Sequence, residues 1–404
     1  MSNVFQSISS GLAELKNYYQ GPIVSQFNDD LPIYRASEKI KNQWSGQQVI
    51  RPLKVRRNGG IGAAADGGAL PAIGAQATVQ AIIAAKYNYL RFGVTGPMIK
   101  ASQSDVGSFV RAAAYELEEG YKDLKSDVNR QLSWDGTGWL ANISANAVAS
   151  TVITATGRES TEDGNKFLDV GMVIDIVTNA NPGVLVASGL TINAISGSTT
   201  ATITLNAAVT VSSTNKIIRA GSLSNEIQGI LTQLDGNTTT VFSIDRATYA
   251  STRGNVVDNA SAALNLDVMQ QAYNLGLSRG GAKYSACWTD FTSLRYYQKL
   301  LTPDKRFVNS VKGDGGFADK DKFYMDFNGL AVVPDKDCPT RIFFLPEDTL
   351  KSYVLAELEF ADETGSMYIA QTGTDAFETR VRFFTNLFNE KASASAVLRT
   401  YISP

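Results

Sequence analysis

The sequence contains no histidine and only two cysteines among its 404 residues. Without histidine the chain lacks the most common general base and metal ligand, and every nucleophile pair that depends on an imidazole. The two cysteines, Cys287 and Cys338, lie far apart and outside any CxxC motif. We therefore expect two buried free thiols, no metal site, no cofactor and no enzymatic activity.

An excess of one charge is also missing, since 37 Lys and Arg stand against 39 Asp and Glu, for a net charge of −2. This balance excludes a strongly basic protein that binds nucleic acid through counterion release. No apolar run approaches the ~18 residues of a membrane span. Residues 1–6 lack the charged region and apolar core that begin a secretory signal. We expect a soluble protein made in the cytoplasm, with two or three compact units.

The most distinctive segment that is present is a tip rich in glycine and alanine, at residues 58–76. It carries six glycines, six alanines and one charged residue, Asp66, and it lies between the strand-like runs 47–57 and 78–95. Such a tip cannot bury enough apolar surface to order itself. A two-stranded arm is also marginal in isolation. We therefore expect the arm to lie on another copy of the same protein.

The first of these two runs combines a proline with a row of cations. Pro52 cannot donate to a strand ladder, so it favours an edge position. Two interpretations of the cations stay open: a solvated basic edge that discourages unwanted pairing, or contacts with carboxylates of a neighbouring subunit. The cations are Arg51, Lys54, Arg56 and Arg57.

A long amphipathic helix is predicted over residues 104–134. Ser104 and Asp105 form a good N-terminal cap. The apolar positions that follow are spaced by three and four residues, which indicates one stripe on a helix of ~45 Å. The turn at 135–138 ends it. The charged opposite face is expected to be solvated; it comprises Glu116, Glu118, Glu119, Lys122, Asp123, Lys125, Asp127 and Arg130.

Between about residues 151 and 220 the composition changes to Thr, Val, Ile, Ser and Gly, which predicts an inserted all-β module. Its predicted strands are 167–177, 190–195, 201–205 and 208–211. Elsewhere the pattern predicts a mixture of helices and strands. The predicted helices are 10–19, 225–234, 266–275, 289–301 and 346–350, and the strands are 283–288, 329–333, 341–345, 378–388 and 396–402.

The sequence offers only weak candidates for a ligand-binding, cation-binding or cross-linking site. The glycine-rich tip fits neither phosphate-binding motif and is not followed directly by a helix start. Asp335-Lys336-Asp337 could bind a cation, but a solvated turn is the favoured interpretation. Lys54 and Lys86 flank the tip without an assignable partner for a covalent cross-link.

One block of the sequence is characteristic of a known protein family. The segments 225–236, Val241-Phe-Ser-Ile-Asp-Arg-Ala-Thr-Tyr249 and Arg253-Gly-Asn-Val256 resemble those of tailed-bacteriophage major capsid proteins. The sequence departs from that pattern at 250–252, where relatives often carry a proline and a tryptophan.

The resemblance covers nearly all of the chain except about 150–221. It implies an α+β fold of the Hong Kong 97-like class, with an inserted all-β domain. The implied divisions are an N-terminal arm at 1–46, an extended loop hairpin at 47–100, a spine helix and peripheral domain at 101–150, the inserted accessory domain at 151–221, an axial domain with returns to the peripheral domain at 222–375, and C-terminal β-arm strands at 376–404.

The function implied is self-assembly of many copies into an icosahedral shell around double-stranded DNA, with scaffolding, portal and decoration proteins as further partners and no membrane. An encapsulin-like compartment protein, another β-rich virion protein and an enzyme are the rivals. The candidate subunit-interface residues are Arg51, Lys54, Arg56, Arg57, Gly59, Gly60, Gly67, Gly68, Tyr87, Tyr89, Arg91, Glu118, Glu119, Asp245, Arg246 and Arg253.

Overall fold

A computed structural model describes residues 31–95, 97, 106–180, 183–234, 240–301, 325–361, 369–370 and 373–404. Its α-helices are α1 (Pro32–Ala36), α2 (Val106–Ser133), α3 (Ile230–Leu234), α4 (Leu266–Gly280) and α5 (Phe291–Leu301). Its strands are β1 (Glu38–Ile40), β2 (Gln48–Arg56), β3 (Ala77–Ala84), β4 (Lys86–Thr95), β5 (Trp139–Ile143), β6 (Ala147–Thr156), β7 (Val173–Val177), β8 (Leu185–Ser196), β9 (Thr200–Val211), β10 (Lys216–Arg219), β11 (Thr240–Val241), β12 (Ile244–Asp245), β13 (Asn255–Ala263), β14 (Ala286–Thr289), β15 (Met325–Phe327), β16 (Leu330–Pro334), β17 (Ile342–Leu345), β18 (Leu350–Phe360), β19 (Ile369–Ala370), β20 (Ala376–Asn389) and β21 (Ala396–Ile402).

The long helix predicted from the apolar stripe is present as α2, with 28 residues. Tyr121, Leu124, Val128 and Leu132 follow one another at intervals of three and four residues, and all are buried. They pack into a core shared with α1, α3, β18 and β20. The predicted cap at 104–105 lies outside the described residues. None of the described helices combines the length and the apolar character needed to cross a membrane.

The predicted arm is present as a two-stranded antiparallel sheet of β2 and β3. The prediction of one continuous run over 78–95 is wrong, because the chain changes sheets at the buried Ala85. Beyond it, β4 leaves the hairpin and pairs antiparallel with β20.

A second sheet combines strands from distant parts of the chain. Its order is β1-β18-β20-β19, with β4 also on β20. The short β1 pairs parallel with β18 and so attaches the segment after α1. The sequence interpretation did not include β18, and residues 346–350 do not form an α-helix: Glu347–Thr349 is a single 3₁₀ turn before that strand.

A six-stranded sheet, β13-β21-β17-β14-β16-β15, joins two cores. Because side chains alternate across a strand, Phe343 faces the core of α2 whereas Phe344 faces α4 and α5. The same alternation separates Trp288 from Cys287 on β14. This sheet therefore connects the long helix to the rest of the C-terminal half.

The last two strands belong to different sheets, so they do not form a separate β-arm over 376–404. β20 lies within the second sheet, and β21 lies inside the six-stranded sheet between β13 and β17. Val397 and Leu398 are almost inaccessible to solvent. β21 is therefore part of the core.

The inserted module is a closed barrel, in the order β10-β5-β6-β9-β8-β7. Its apolar interior includes Ile153, Ile174, Ile192 and Ile203. The barrel begins at Trp139, so the predicted boundary at residue 151 falls inside β6. The strand predicted at 167–177 is shorter in the structure, where only β7 is a strand, because the residues before Val173 form turns. The two strands predicted at 201–205 and 208–211 form a single strand, β9.

The remaining helices differ mainly in length from their predictions. The helix predicted at 225–234 is present only over its second half, as α3. The helix predicted at 266–275 is longer than predicted and extends to Gly280. Asn265 caps α4 by accepting a bond from the Val268 amide, and Gly281, at φ +61°, ends it in the left-handed conformation. The predicted helix at 289–301 is α5, which begins at Phe291.

Candidate subunit-contact surfaces

The base of the β2–β3 hairpin lies on its own chain. Val49 and Ile83 are buried against Phe242 and Phe388. The amide of Ile82 donates a hydrogen bond to the carbonyl of Phe242, 2.9 Å away. The hairpin therefore has an intramolecular support at its base, which the sequence interpretation did not foresee.

The tip of the hairpin has no such support among the described residues. Ile61, Leu70 and Ile73 are 83%, 84% and 104% exposed. Contiguous exposed apolar surface is typical of interaction sites, and these three side chains lie in one segment of 13 residues.

The candidate glycines shape this tip. Gly60 lies so close to Gly74 that a Cβ on Gly74 would be 2.4 Å from the Gly60 nitrogen. Gly67 has φ +70°, which favours glycine, and the amide of Gly68 donates to the Ala65 carbonyl at 2.9 Å. Gly59 is exposed. These glycines serve the turn and a close backbone approach.

The basic row divides into two parts. Arg51 pairs with Glu390 of its own chain, at 2.5 Å between Nη2 and Oε1, and this hydrogen bond raises the pKa of Arg51 above its ordinary value. Lys54, Arg56 and Arg57 are exposed, and none of them pairs with a carboxylate among the residues that the structure describes. Of the four cations in this row, these three are exposed without a carboxylate partner in the described part of the chain.

The candidates on β4 also have partners within the chain. The rings of Tyr87 and Tyr89 meet Phe384 edge-on, with centroids 4.9 and 5.3 Å apart. Arg91 donates twice to Glu378, from Nε at 3.1 Å and from Nη2 at 2.5 Å. Tyr87 and Tyr89 remain 40% and 55% exposed, so they form an exposed aromatic face rather than a closed core.

On the long helix, the predicted solvated face is correct for one part and wrong for another. Glu118 and Glu119 pair with Lys122 at the surface, at 3.4 and 2.8 Å. Arg130, by contrast, is 2% exposed and pairs with Glu226 and Asp127. Helical periodicity alone misplaced Arg130, because its partner Glu226 lies 96 residues away in the sequence.

The block at 241–256 forms hydrogen bonds to its own backbone. Asp245 accepts bonds from the amide of Ala247 at 2.9 Å and from the hydroxyl of Thr248 at 2.6 Å. Arg246 is buried and donates to the carbonyl of Thr232 at 3.0 Å. Arg253 donates to the carbonyls of Arg246 and Ala247. These three candidates hold a local turn, and Arg246 is not accessible on the surface of the single chain.

The Asp335–Asp337 turn is not solvated, which corrects the interpretation from sequence. Both carboxylates are nearly buried, at 6% and 5% exposure. Asn129 of α2 donates to both, at 2.8 and 3.0 Å, and the indole of Trp134 donates to the Asp337 carbonyl at 2.9 Å. This turn therefore links the long helix to the six-stranded sheet.

Two cysteines and the possible metal ligands were candidates for reactive or metal-binding groups. Cys287 and Cys338 are buried free thiols, as predicted, and burial raises the pKa of each thiol well above its ordinary value. No group of three or more His, Cys, Asp or Glu within the described part of the chain could hold a metal ion.

The sequence matches no protein-family model and no curated protein. Solved structures do share the fold. The capsid asymmetric unit of cyanophage A-1(L) aligns over 99% of this chain and 95% of that chain, at 14% identity and a TM-score of 0.56. The fold is that of a phage capsid protein. Two further similar structures are the capsid of a native GTA particle (9% identity, 100% of this chain and 93% of that chain, TM-score 0.49) and the holo-SrpI encapsulin complex of Synechococcus elongatus PCC 7942 (8%, 91% and 86%, TM-score 0.42).

Within this capsid fold, the candidate contact residues fall into two classes. Arg51, Arg91, Arg246 and Arg253 are engaged by their own chain. The tip at 58–76 and the three free cations beside it are exposed. The hairpin beyond its base is therefore an exposed surface among the described residues.

Proposed function

We propose that this chain is the major capsid protein of a tailed bacteriophage. Many copies assemble into an icosahedral shell that encloses double-stranded DNA, and the role is structural rather than enzymatic. The observation that carries this proposal is the likeness to the cyanophage capsid subunit over 99% of the chain. The unsupported tip agrees with it, because a shell subunit is completed by its neighbours.

The Hong Kong 97-like divisions assign a role to each part. The β2–β3 hairpin is the extended loop that lies over an adjacent subunit, and α2 is the spine helix. The six-stranded sheet with α4 and α5 is the axial domain, which meets its copies at five- and six-fold axes. The barrel is an accessory domain. The N-terminal arm is assigned to residues 1–46, of which 1–30, with the helix predicted at 10–19, lie outside the described residues.

The physical basis of assembly is repetition of modest contacts. The hairpin of one subunit meets a different surface of the next, which is a heterologous contact, and such contacts propagate until curvature closes the shell. Each contact raises the effective concentration of the next one, so overlapping weak contacts give a stable lattice.

The remaining partners follow from this role. Scaffolding, portal and decoration proteins would act during or after assembly, which takes place in the host cytoplasm and ends in the virion. The net charge of −2 suits a shell that holds DNA without binding it tightly, since tight binding through counterion release needs a cationic surface. We propose no sequence-specific contact with the DNA.

The test is expression of the full chain, alone and with a scaffolding protein, followed by negative-stain microscopy. Shells or curved oligomers are the expected result. Persistent monomers under every salt and scaffold condition would refute the proposal. The content of purified shells separates the rivals: DNA agrees with a capsid, whereas an enclosed enzyme would indicate an encapsulin-like compartment.

A further inference from the structure

A cavity of about 660 Å³ lies where the barrel meets the rest of the chain. Its walls come from β5 and β10 of the barrel, from the turn after α2, and from the start of β4. The charged residues that line it are the cations Lys86, Arg158, Lys216, Arg341 and Arg399 and the carboxylates Asp135 and Glu159. Cations thus exceed carboxylates by five to two.

Both carboxylates in the wall are already neutralised by arginines. Arg158 Nη2 lies 2.6 Å from Asp135 Oδ2, and Arg341 Nη2 lies 2.7 Å from Glu159 Oε1. The third arginine of the wall, Arg399, also pairs with a carboxylate, since its Nε lies 3.1 Å from Asp258 Oδ2. All three guanidinium groups are therefore engaged.

The two lysines of the wall have only neutral partners among the described residues. Lys86 Nζ donates to the Ser224 carbonyl at 2.7 Å, and Lys216 Nζ donates to Asn142 Oδ1 at 2.8 Å. Neither ammonium lies within 4 Å of a carboxylate in the described part of the chain. Each ammonium has three donors, so donors remain for a ligand in the cavity.

Burial makes this charge costly. It lowers the pKa of Lys86, against which the more distant Glu226 acts in the opposite direction. Burial also lowers the pKa of Lys216, and the positive charge of Arg158 lowers it further. A negative ligand would relieve both effects, because an opposite charge within a few ångströms favours the charged form of an amine.

Trp139 also lines the cavity. The indole Nε1 of Trp139 is buried and has no acceptor in the described structure. The ring of Trp139 lies beneath Lys216, whose Nζ is 5.5 Å from the ring centroid.

We propose that this cavity binds a small oxyanion of the phosphate class, held by the ammonium groups of Lys86 and Lys216. A phosphate presents several strong acceptor oxygens in different directions, which suits separate point-charge donors. The proposal goes beyond shell assembly, since it assigns a ligand site at the junction of the barrel and the rest of the subunit.

The experiment is titration calorimetry of the full-length protein with pyrophosphate and with inorganic phosphate, at an ionic strength held constant with sodium chloride. The variants are Lys86→Met and Lys216→Met, and the matched control is Lys54→Met, an exposed lysine on the hairpin. Each cavity variant is expected to bind about tenfold more weakly or worse, because it loses a charge-assisted bond to the anion. The control variant is expected to bind as the unaltered protein does.

The conservative variants Lys86→Arg and Lys216→Arg keep the charge and are expected to retain most of the binding, which separates a ligand contact from a loss of folding. Absence of binding to the unaltered protein, or equal weakening by Lys54→Met, would overturn the proposal. Displacement of pyrophosphate by a short oligonucleotide would identify nucleic-acid phosphate as the source, and failure of displacement would identify a free anion.

Discussion

Arg130 of α2 and Glu226, which precedes α3, form an ion pair from which solvent is almost excluded. Their side chains are 2% and 4% exposed. Burial opposes the charge of Arg130, but the attraction of Glu226 and of Asp127 outweighs burial and holds the pKa of Arg130 above its ordinary value. The pair joins the long helix to the segment that leaves the barrel.

The first prediction concerns this pair. Glu226→Gln should lower the free energy of unfolding of the unassembled chain by about 1.5–3 kcal/mol, because it removes one of the two carboxylates that bond to the buried guanidinium and leaves only Asp127. Urea denaturation measures the change. Glu118→Gln is the control, since Glu118 pairs with Lys122 at the surface, and its effect should stay within about 0.5 kcal/mol. Equal effects would show that the buried pair does not stabilise the fold.

The second prediction concerns the tip. Replacement of Ile61, Leu70 and Ile73 together by serine should leave the thermal unfolding of the single subunit unchanged, since all three are exposed, but should strongly reduce the yield of shells. Sedimentation and negative-stain microscopy measure that yield. Val148→Ser, at an exposed valine of the barrel, controls for a general loss of apolar surface. Deletion of residues 58–76 should act in the same way, and normal shells from either altered tip would refute its role in assembly.

The third prediction concerns the basic row. The triple variant Lys54→Glu, Arg56→Glu, Arg57→Glu should assemble poorly if these cations meet carboxylates of a neighbour, because like charges would then face each other. Assembly kinetics by light scattering at low and high salt measure the effect, which salt should reduce. The charge-preserving variants Lys54→Arg, Arg56→Lys and Arg57→Lys should assemble normally. Unchanged assembly of the reversed variant would leave the solvated basic edge as the correct interpretation.

The fourth prediction concerns pH. Burial opposes ionisation of Asp135, but Arg158 and the bonds from Thr137 outweigh it and lower the pKa of Asp135 below its usual 3.8. The unfolded chain therefore binds this proton more readily, so the stabilisation is complete above pH 3.8 and is lost as the pH falls through the lower folded value.

Asp135→Asn should accordingly cost about 1.5–3 kcal/mol at neutral pH, the range for bonds to charged groups. The difference from the unaltered chain should shrink as the pH falls below 3.8. Chemical denaturation at a series of pH values tests this. A difference that stays constant down to acid pH would contradict the ionic role of Asp135.

Much of the secondary structure follows from local pattern. The stripe from Tyr121 to Leu132 predicts α2 because each position recurs at the period of a helix. The strands predicted at 283–288 and 396–402 also agree within a few residues with β14 and β21. The break at Ala85 was not foreseen, since β3 and β4 are equally strand-like and only their different partners separate them. The strand β18 was missed altogether.

The candidate contact residues divide in a similar way. An exposed, glycine-rich tip with an adjacent row of cations is readable from composition. The engagement of Arg51 by Glu390 and of Arg91 by Glu378 is not, because each partner lies 287 or more residues away in the sequence. The burial of Asp335 and Asp337 depends in the same way on Asn129, more than 200 residues earlier.

By itself, the order of amino acids determined the long helix, the β-rich insertion and a tip too poor in apolar side chains to pack on itself, because periodicity and composition act over neighbouring residues. Tertiary structure alone decided which strands share a sheet, which charges are buried in pairs and where the barrel meets the subunit. Those choices depend on contacts between residues that only the folded chain brings together.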